Sequence, residues 1–206
     1  MCRRISKFLF RGYVYLGQGN ASWRAIEIYQ ENQMKKQIFI INGTGGCGKD
    51  TFVKYVFSAL NMNPNNISYV DRVKELAAIM GWNGGKTERD RKFLSDLECL
   101  TTEYSDLPYL DIQEKIEIFK TSFSSLMFVH IRRPYQIERA KNDFGAKTVL
   151  VINDNVQKVT SNIADANVAN YAYDIIVNNN GTEDDLRETA KRFAADIVLG
   201  EMKKNY

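Results

Sequence analysis

A nine-residue glycine-rich segment, Gly43–Thr51 (GTGGCGKDT), constrains the fold of this chain more than any other part of its sequence. It follows Gln37–Asn42 (QIFIIN), an apolar run whose β-branched and aromatic residues are typical of a buried parallel strand. After it, apolar residues recur at helical spacing at positions 52, 53, 56, 57 and 60. The order strand, glycine loop, helix predicts an α/β protein with this loop at the carboxyl edge of a mostly parallel sheet.

The loop has the spacing G-x-x-x-x-G-K, which suits the binding of a triphosphate. Glycines allow successive backbone N–H groups to turn inward, and the helix that follows points its positive end at the same anion. We therefore predict that ATP is bound by Gly43, Gly45, Gly46, Cys47, Gly48, Lys49, Asp50 and Thr51, with Lys49 also catalytic. A plain glycine-rich turn beside a lysine is the alternative interpretation. Cys47 is interpreted as a small residue that fits the loop.

The two residues after Lys49 are the predicted ligands of Mg²⁺. Loops of this kind usually carry Ser or Thr directly after the lysine, whereas this chain has Asp50 and then Thr51. The Asp50 carboxylate could hold Mg²⁺ directly or through water, or receive a proton from the acceptor, so we also class it as catalytic. Thr51 could supply a hydroxyl, although one position turns it about 100° around the helix.

Further strands are predicted at 67–70, 126–131, 148–152 and 174–177, alternating with amphipathic helices. Asp71, Thr87 and Thr182 are predicted helix caps. Other helices are expected around 112–119 and from Pro134 to Lys141. Strands alternating with helices favour three layers, with helices on both faces of the sheet.

The GTGGCGKDT segment resembles the loop of P-loop kinases, notably the phage-type deoxynucleoside monophosphate kinases, and is more distantly similar to dephospho-coenzyme A kinases. Segments 69–97, 128–139 and 173–186 resemble the acceptor region, the lid arginines and the loop bordering the adenine of that family. The resemblance spans most of 37–198. It implies a P-loop nucleoside triphosphate hydrolase fold of the nucleoside monophosphate kinase type, ATP and Mg²⁺ as cofactors, and small nucleotides as partners.

Cations besides Lys49 are needed because phosphoryl transfer depends on positioning and on neutralising charge. The predicted acceptor-binding residues are Asp71, Arg72, Lys86, Arg89 and Arg91. The last three could equally be solvated charges on a helix. Trp82 could stack on a base or lie at the edge of the core.

Arginines that directly follow the strand at 126–131 are the predicted lid cations, because ligands of parallel sheets bind at that edge. Arg132, Arg133 and Arg139 are candidates for contact with the transferred phosphate, with ion pairs to Glu138 or Asp143 as the alternative. His130 is interpreted as structural.

Asn180 and Gly181 are expected to border the adenine, although a turn and helix cap would explain them as well. An apolar strand ending in a metal-ordering Asp, common in such kinases, is not evident between Thr101 and Ser125. Asp50 or Asp71 could replace that acid.

The composition of the chain argues against several other classes of protein. Apolar residues make up 44% of the chain without a membrane-spanning run, and a net charge of +3 with scattered basic residues gives no support for binding polymeric nucleic acid or a membrane. Three distant cysteines and one histidine argue against a zinc site and favour a reduced, cytoplasmic setting. We predict an extension at 1–33, without a signal peptide, and a kinase domain at 34–206; the oligomeric state is open.

The leading functional hypothesis is transfer of the ATP γ-phosphoryl group to a small phosphorylated acceptor, preferably a (deoxy)nucleoside monophosphate. The alternatives are a kinase for another small acceptor, such as dephospho-coenzyme A, and a non-catalytic nucleotide-binding module. A dinucleotide-dependent dehydrogenase fits poorly because Lys49 follows the loop without the expected ribose-binding acid.

Overall fold

The computed structural model describes residues 35–156, residue 168 and residues 171–206, together with the backbone of two short strands near the N-terminus. These strands, β1 (Leu9–Phe10) and β2 (Tyr13–Val14), pair with each other antiparallel. The predicted boundary between residues 33 and 34 lies outside the described residues and stays a prediction.

The main sheet has five parallel strands in the order β4-β5-β3-β6-β7. The strands are β3 (Gln37–Asn42), β4 (Asn66–Ser68), β5 (Leu126–His130), β6 (Lys147–Ile152) and β7 (Ile175–Asn178). Since β3 is the central strand, the glycine loop that follows it lies at the middle of the carboxyl edge. The predicted parallel sheet is confirmed.

Six helices lie within the described residues. They are α1 (Lys49–Ala59), α2 (Asp71–Ile79), α3 (Glu88–Ser105), α4 (Leu107–Thr121), α5 (Pro134–Phe144) and α6 (Glu183–Leu199). Helices α1 and α6 share one hydrophobic cluster with the sheet, and α4 and α5 share another. The arrangement is the predicted three-layer, P-loop-like fold. Within the described part of the chain, no helix combines the length and hydropathy that crossing a bilayer requires.

Strand β3 is buried on both faces, as its sequence predicts. Phe39 and Ile41 belong to the cluster with α1 and α6, whereas Ile38 and Ile40 belong to the cluster with α4 and α5. Alternate residues of a strand point to opposite faces, so a continuous apolar run is needed where helices cover both. This packing holds the end of β3, and hence the glycine loop, in one place.

Helix α2 and the N-terminal half of α3 pack against each other through a smaller cluster. Its buried members are Val73, Ala77 and Leu97. Helix α3 begins at the predicted cap: the Thr87 hydroxyl accepts a hydrogen bond from the Asp90 amide, and the Asp90 carboxylate accepts one from the Thr87 amide. This reciprocal capping box fixes where α3 begins.

Two predicted details at β4 are wrong. The strand ends at Ser68 rather than Val70, and Asp71 is the first residue of α2 rather than its cap. The Asp71 carboxylate instead accepts a hydrogen bond from the Ser68 amide at 2.7 Å. The side chain therefore bonds back to the end of β4 and closes the turn between strand and helix. The Thr182 cap is confirmed, with a capping box to Asp185.

Candidate active site

The glycine loop connects β3 to α1 through two residues in the left-handed region. Gly46 has φ of 83° and Gly48 has φ of 91°, conformations that side chains with a Cβ adopt only at a cost. Gly48 is the N-cap of α1 and supplies no side-chain cap, so no side chain among the described residues accepts from the amides of the first helical turn. These amides and the positive end of the helix form a site suited to an anion.

The side chain of Asn42 holds the start of the loop. It is buried, and its Oδ1 accepts a hydrogen bond from the Gly43 amide at 2.8 Å. Its Nδ2 donates to the Arg132 carbonyl at 3.1 Å and to the Tyr173 hydroxyl at 2.7 Å. The side-chain amide of Asn42 thus joins the ends of β3 and β5 to the segment before β7. The sequence analysis did not recognise this role of Asn42.

The loop after β7 docks directly on the glycine loop. Asn179 Nδ2 donates to the Cys47 carbonyl at 2.9 Å. Its neighbour Asn180 exchanges two hydrogen bonds with Asp154, at 2.8 and 2.7 Å. The predicted adenine-bordering residues, Asn180 and Gly181, therefore lie next to the loop, although they do not line the cavity described below.

Gly48 is the tightest point of this docking, which leads to a testable prediction. A Cβ at Gly48 would stand 2.3 Å from Asn179 Nδ2. We expect Gly48→Ala to break the Asn179–Cys47 hydrogen bond and to destabilise the protein by about 2 kcal/mol, measured by urea unfolding. It should also weaken ATP binding in calorimetry.

Gly145→Ala is the matched control, because Gly145 also has positive φ (62°) but open space at its Cβ position. It lies at the end of α5 and should cost about 1 kcal/mol from backbone strain alone, with ATP affinity unchanged. Equal effects of the two substitutions on ATP affinity would contradict the role of Gly48.

A cavity of about 650 Å³ extends from the glycine loop to α2 and α3. It brings together these predicted site residues: Gly45, Gly46, Lys49, Asp50, Asp71, Lys86, Arg91, Arg132 and Arg133. Trp82 also lines it, with its indole N–H donating to the Gly85 carbonyl at 3.2 Å. The loop and the cations after the glycine turn thus share one volume although they are separated by about 40 positions in the sequence.

The cations of this cavity differ in their partners. Among the described residues, Lys49, Lys86 and Arg91 make no ion pair, and Lys49 Nζ contacts only the Thr44 carbonyl, at 3.4 Å. Lys74, which the sequence analysis missed, pairs with Asp71 at 3.4 Å. Lys49 comes from the start of α1, and Lys86 and Arg91 come from the turn before α3 and from α3 itself, so the cavity offers cations from separate elements to a ligand with two anionic groups.

Arg133 is paired with a buried acid that the sequence analysis did not identify. Its Nε and Nη2 donate to Glu98 Oε2 at 3.1 and 2.7 Å, and Gln136 Nε2 donates to Glu98 Oε1 at 2.7 Å. The Glu98 side chain is 9% exposed. In this arrangement, Arg133 neutralises Glu98 and holds α3 against the start of α5.

Besides Asn180, Gly181 and the loop residues Gly43, Cys47 and Gly48, four predicted site residues do not line the cavity. Arg72 pairs with Glu75 at 2.6 Å, and Arg89 is exposed. Arg139 pairs with Asp106 at 2.6 Å and stacks on the ring of Tyr109. Thr51, one position beyond Asp50 on α1, does not line the cavity either. The structure therefore does not bring these four side chains into the cavity in this conformation.

His130 occupies the carboxyl end of β5, the strand that flanks β3. Residues 101–125, where the sequence shows no strand ending in Asp, form the end of α3 and all of α4. His130 lines the cavity, and its Nδ1 is 3.7 Å from Asp50 Oδ1. Burial lowers the pKa of its imidazole to about 4, although Asp50 acts in the opposite direction. The side chain is therefore neutral near pH 7.

Cys47 is buried beneath the loop. Burial raises the pKa of its thiol, and Lys49 only partly offsets this effect. A protonated, inaccessible thiol is a poor nucleophile, which agrees with its interpretation as a small residue that fits the loop.

No protein-family model matches the sequence, and no curated protein matches it. One of the solved structures similar to the chain is described as "putative kinase from Chloroflexus aurantiacus". The TM-score is 0.38 at 9% sequence identity, and the match covers 59% of this chain and 62% of that protein. The strand order and the loop geometry described above, rather than this distant similarity, define the fold and the candidate site.

Proposed function

We propose that the chain is an ATP-dependent phosphotransferase that moves the γ-phosphoryl group to a small phosphorylated acceptor, preferably a (deoxy)nucleoside monophosphate. The observation that carries this proposal is one cavity lined both by the glycine loop with Lys49 and by Lys86 and Arg91, which have no ion-pair partner among the described residues. Two separate groups of anion-binding residues in one volume suit a reaction between two phosphorylated molecules.

The donor half of the reaction would be bound by the glycine loop. Amides of the loop and of the first turn of α1 would hold the β- and γ-phosphates, with Lys49 as the counter-charge. A bound Mg²⁺ would neutralise charge on the phosphate oxygens. The Asp50 carboxylate suits such an ion because it is 81% exposed, is directly beside Lys49, and makes no hydrogen bond to any described residue.

The acceptor half would be bound between α2 and α3. Arg91 and Lys86 would contact the acceptor phosphate, and the half-buried Trp82 offers an aromatic surface for a base. This geometry favours an acceptor that combines a phosphate with a planar ring. Dephospho-coenzyme A also fits this description and is the nearest alternative.

A non-catalytic nucleotide-binding module is the second candidate, and two observations favour it. His130 stands where an acid would order the metal, and Arg133 is already neutralised by Glu98. Such a module would bind ATP tightly and hydrolyse it slowly, without stimulation by any acceptor.

A panel of acceptors with Mg·ATP, followed by ADP release, tests these candidates. Nucleoside monophosphates, deoxynucleoside monophosphates and dephospho-coenzyme A are the acceptors. ADP release stimulated by one acceptor class, with the phosphorylated product identified by mass spectrometry, would support a kinase and name its substrate. ATP binding without stimulation by any acceptor would leave the binding module.

Arg91 provides a prediction specific to the acceptor half. We expect Arg91→Ala to raise the KM for the acceptor by at least about tenfold, because one charge-assisted hydrogen bond to a phosphate is lost. The KM for ATP should stay unchanged. Lys92→Ala is the matched control, because Lys92 is adjacent but pairs with Asp96 on the surface, outside the cavity. An unchanged acceptor KM in Arg91→Ala would exclude the proposed acceptor position.

A further inference from the structure

Asp50 and His130 face each other across the mouth of the glycine loop, from two different elements. Asp50 belongs to the first turn of α1, and His130 is the last residue of β5. The gap between His130 Nδ1 and Asp50 Oδ1 is 3.7 Å, too long for a hydrogen bond. No described residue donates to or accepts from either side chain, and His130 Nε2 is buried without a partner. Hydrogen bonds with the described part of the chain therefore do not explain why this imidazole lies at the site.

The two atoms lie near enough for one cation to bridge them after a shift of one side chain. Two neighbouring ligands of an octahedral ion at about 2.1 Å lie roughly 3.0 Å apart. At 3.7 Å the two atoms are about 0.7 Å farther apart than such neighbouring ligands. The Asp50 side chain is 81% exposed and free to rotate, whereas the His130 side chain is 13% exposed and held by the strand. A small rotation of Asp50 would bring both donors onto one ion.

We propose that Asp50 and His130 form a mixed carboxylate–imidazole site for the divalent ion that accompanies the nucleotide, and that this site prefers Mn²⁺ to Mg²⁺. The inference rests on the proposed nucleotide binding. It replaces Thr51, which lies outside the cavity, with His130 as the second protein ligand. Phosphate oxygens and waters would complete the coordination.

The preference for Mn²⁺ over Mg²⁺ follows from the nitrogen donor that His130 supplies. Mg²⁺ is bound almost entirely by oxygen and loses water reluctantly, whereas first-row transition ions accept imidazole nitrogen. Mn²⁺ shares the octahedral, oxygen-rich coordination of Mg²⁺ and can therefore take its place beside a triphosphate. A histidine in place of a strand-terminal acid thus changes which ion the site favours without removing the site.

His130 is the single histidine of the chain, which permits a direct test. Protein labelled with ¹⁵N only at histidine is mixed with Mn²⁺ and an unlabelled non-hydrolysable ATP analogue. Pulsed electron paramagnetic resonance of the bound Mn²⁺ should then show a coupling to ¹⁵N that is absent from unlabelled protein. The adenine ring carries only ¹⁴N, so it cannot produce this signal.

The affinity of the nucleotide analogue is measured in parallel with Mn²⁺ and with Mg²⁺. We expect the preference for Mn²⁺ over Mg²⁺ to fall by about tenfold in His130→Asp, which supplies oxygen in place of nitrogen. Asp50→Asn should weaken binding with both ions. Bound nucleotide and bound Mn²⁺ without the ¹⁵N coupling would overturn the proposed site and leave the proposed function intact. Absence of nucleotide binding with either ion would overturn the proposed function itself.

The wild-type measurement does not depend on any substitution, so a variant that fails to fold cannot obscure the result. A ¹⁵N coupling in the wild type, together with an unchanged ion preference in a folded His130→Asp protein, would support the coordination and refute the predicted selectivity.

Discussion

Lys49→Ala is expected to lower kcat/KM for ATP by at least about 10³-fold, with the fold preserved. The side chain belongs to the first residue of α1 and lines the cavity, and its one hydrogen bond within residues 35–156 and 171–206 is a long one, to the Thr44 carbonyl at 3.4 Å. It contributes little to folding, so the free energy of unfolding should change by less than about 0.5 kcal/mol. In the proposed reaction it is the main protein charge on the β- and γ-phosphates, and its removal leaves that charge uncompensated in the transition state.

Lys54→Ala is the matched control for this experiment. Lys54 lies on the same helix and is exposed, outside the cavity. Steady-state kinetics should show wild-type activity in Lys54→Ala, and circular dichroism should show the same fold in both variants. Wild-type turnover in Lys49→Ala would contradict the proposed function, because no other described lysine lines the cavity at the glycine loop.

Arg133→Ala is expected to destabilise the protein by about 3 kcal/mol, a decrease in Tm of about 10 °C. The substitution removes two hydrogen bonds from Glu98, whose side chain is 9% exposed. Gln136 alone would then face a buried carboxylate, and the cost of leaving that charge unpaired exceeds the value of the lost contact. Thermal unfolding followed by calorimetry measures the effect.

The double variant Glu98→Gln/Arg133→Ala separates this electrostatic cost from lost packing. A neutral amide at position 98 no longer requires the guanidinium, so the double variant should recover part of the lost stability. Glu103→Ala is the control on the same helix, since Glu103 is exposed and makes no ion pair within the described residues. A double variant no more stable than Arg133→Ala would show that packing, rather than charge pairing, accounts for the loss.

The ion pair between Arg133 and Glu98 also bears on whether Arg133 has a role in catalysis. If Arg133 acts only by holding α3 against α5, the activity per folded molecule of Arg133→Ala at low temperature should stay near that of the wild type. If it also contacts the transferred phosphate, kcat should fall even where the variant is fully folded. Kinetics below the unfolding transition distinguish the two roles.

Local sequence patterns predicted most of the fold. Gln37–Asn42 forms the central strand because a continuous apolar run suits burial on two faces, and the glycines that follow allow the left-handed turn. Thr87 and Thr182 cap their helices through partners only three residues away. The end of β4 was predicted less well, because the Asp71 carboxylate bonds back to the strand instead of to its helix.

The glycine loop, the start of α1 and Lys49 could be placed together from sequence, since they are adjacent in the chain. Interaction partners that lie far apart in the chain could not be predicted in this way. Arg133 meets Glu98, which is 35 positions away, and Arg139 meets Asp106, which is 33 positions away. No periodicity in the sequence specifies which charged residues of separate helices come together.

The sequence by itself determined the strand–loop–helix unit and the alternation of strands with helices that favours a parallel sheet, because both depend on residues close together in the chain. The anion-binding role of Lys49 stays a prediction. Only the tertiary structure decided which strand lies beside β3, and therefore that His130, not an acid, faces Asp50. The order of strands in a sheet is set by how the helices pack on both faces, and that packing joins side chains with no local relationship in the chain.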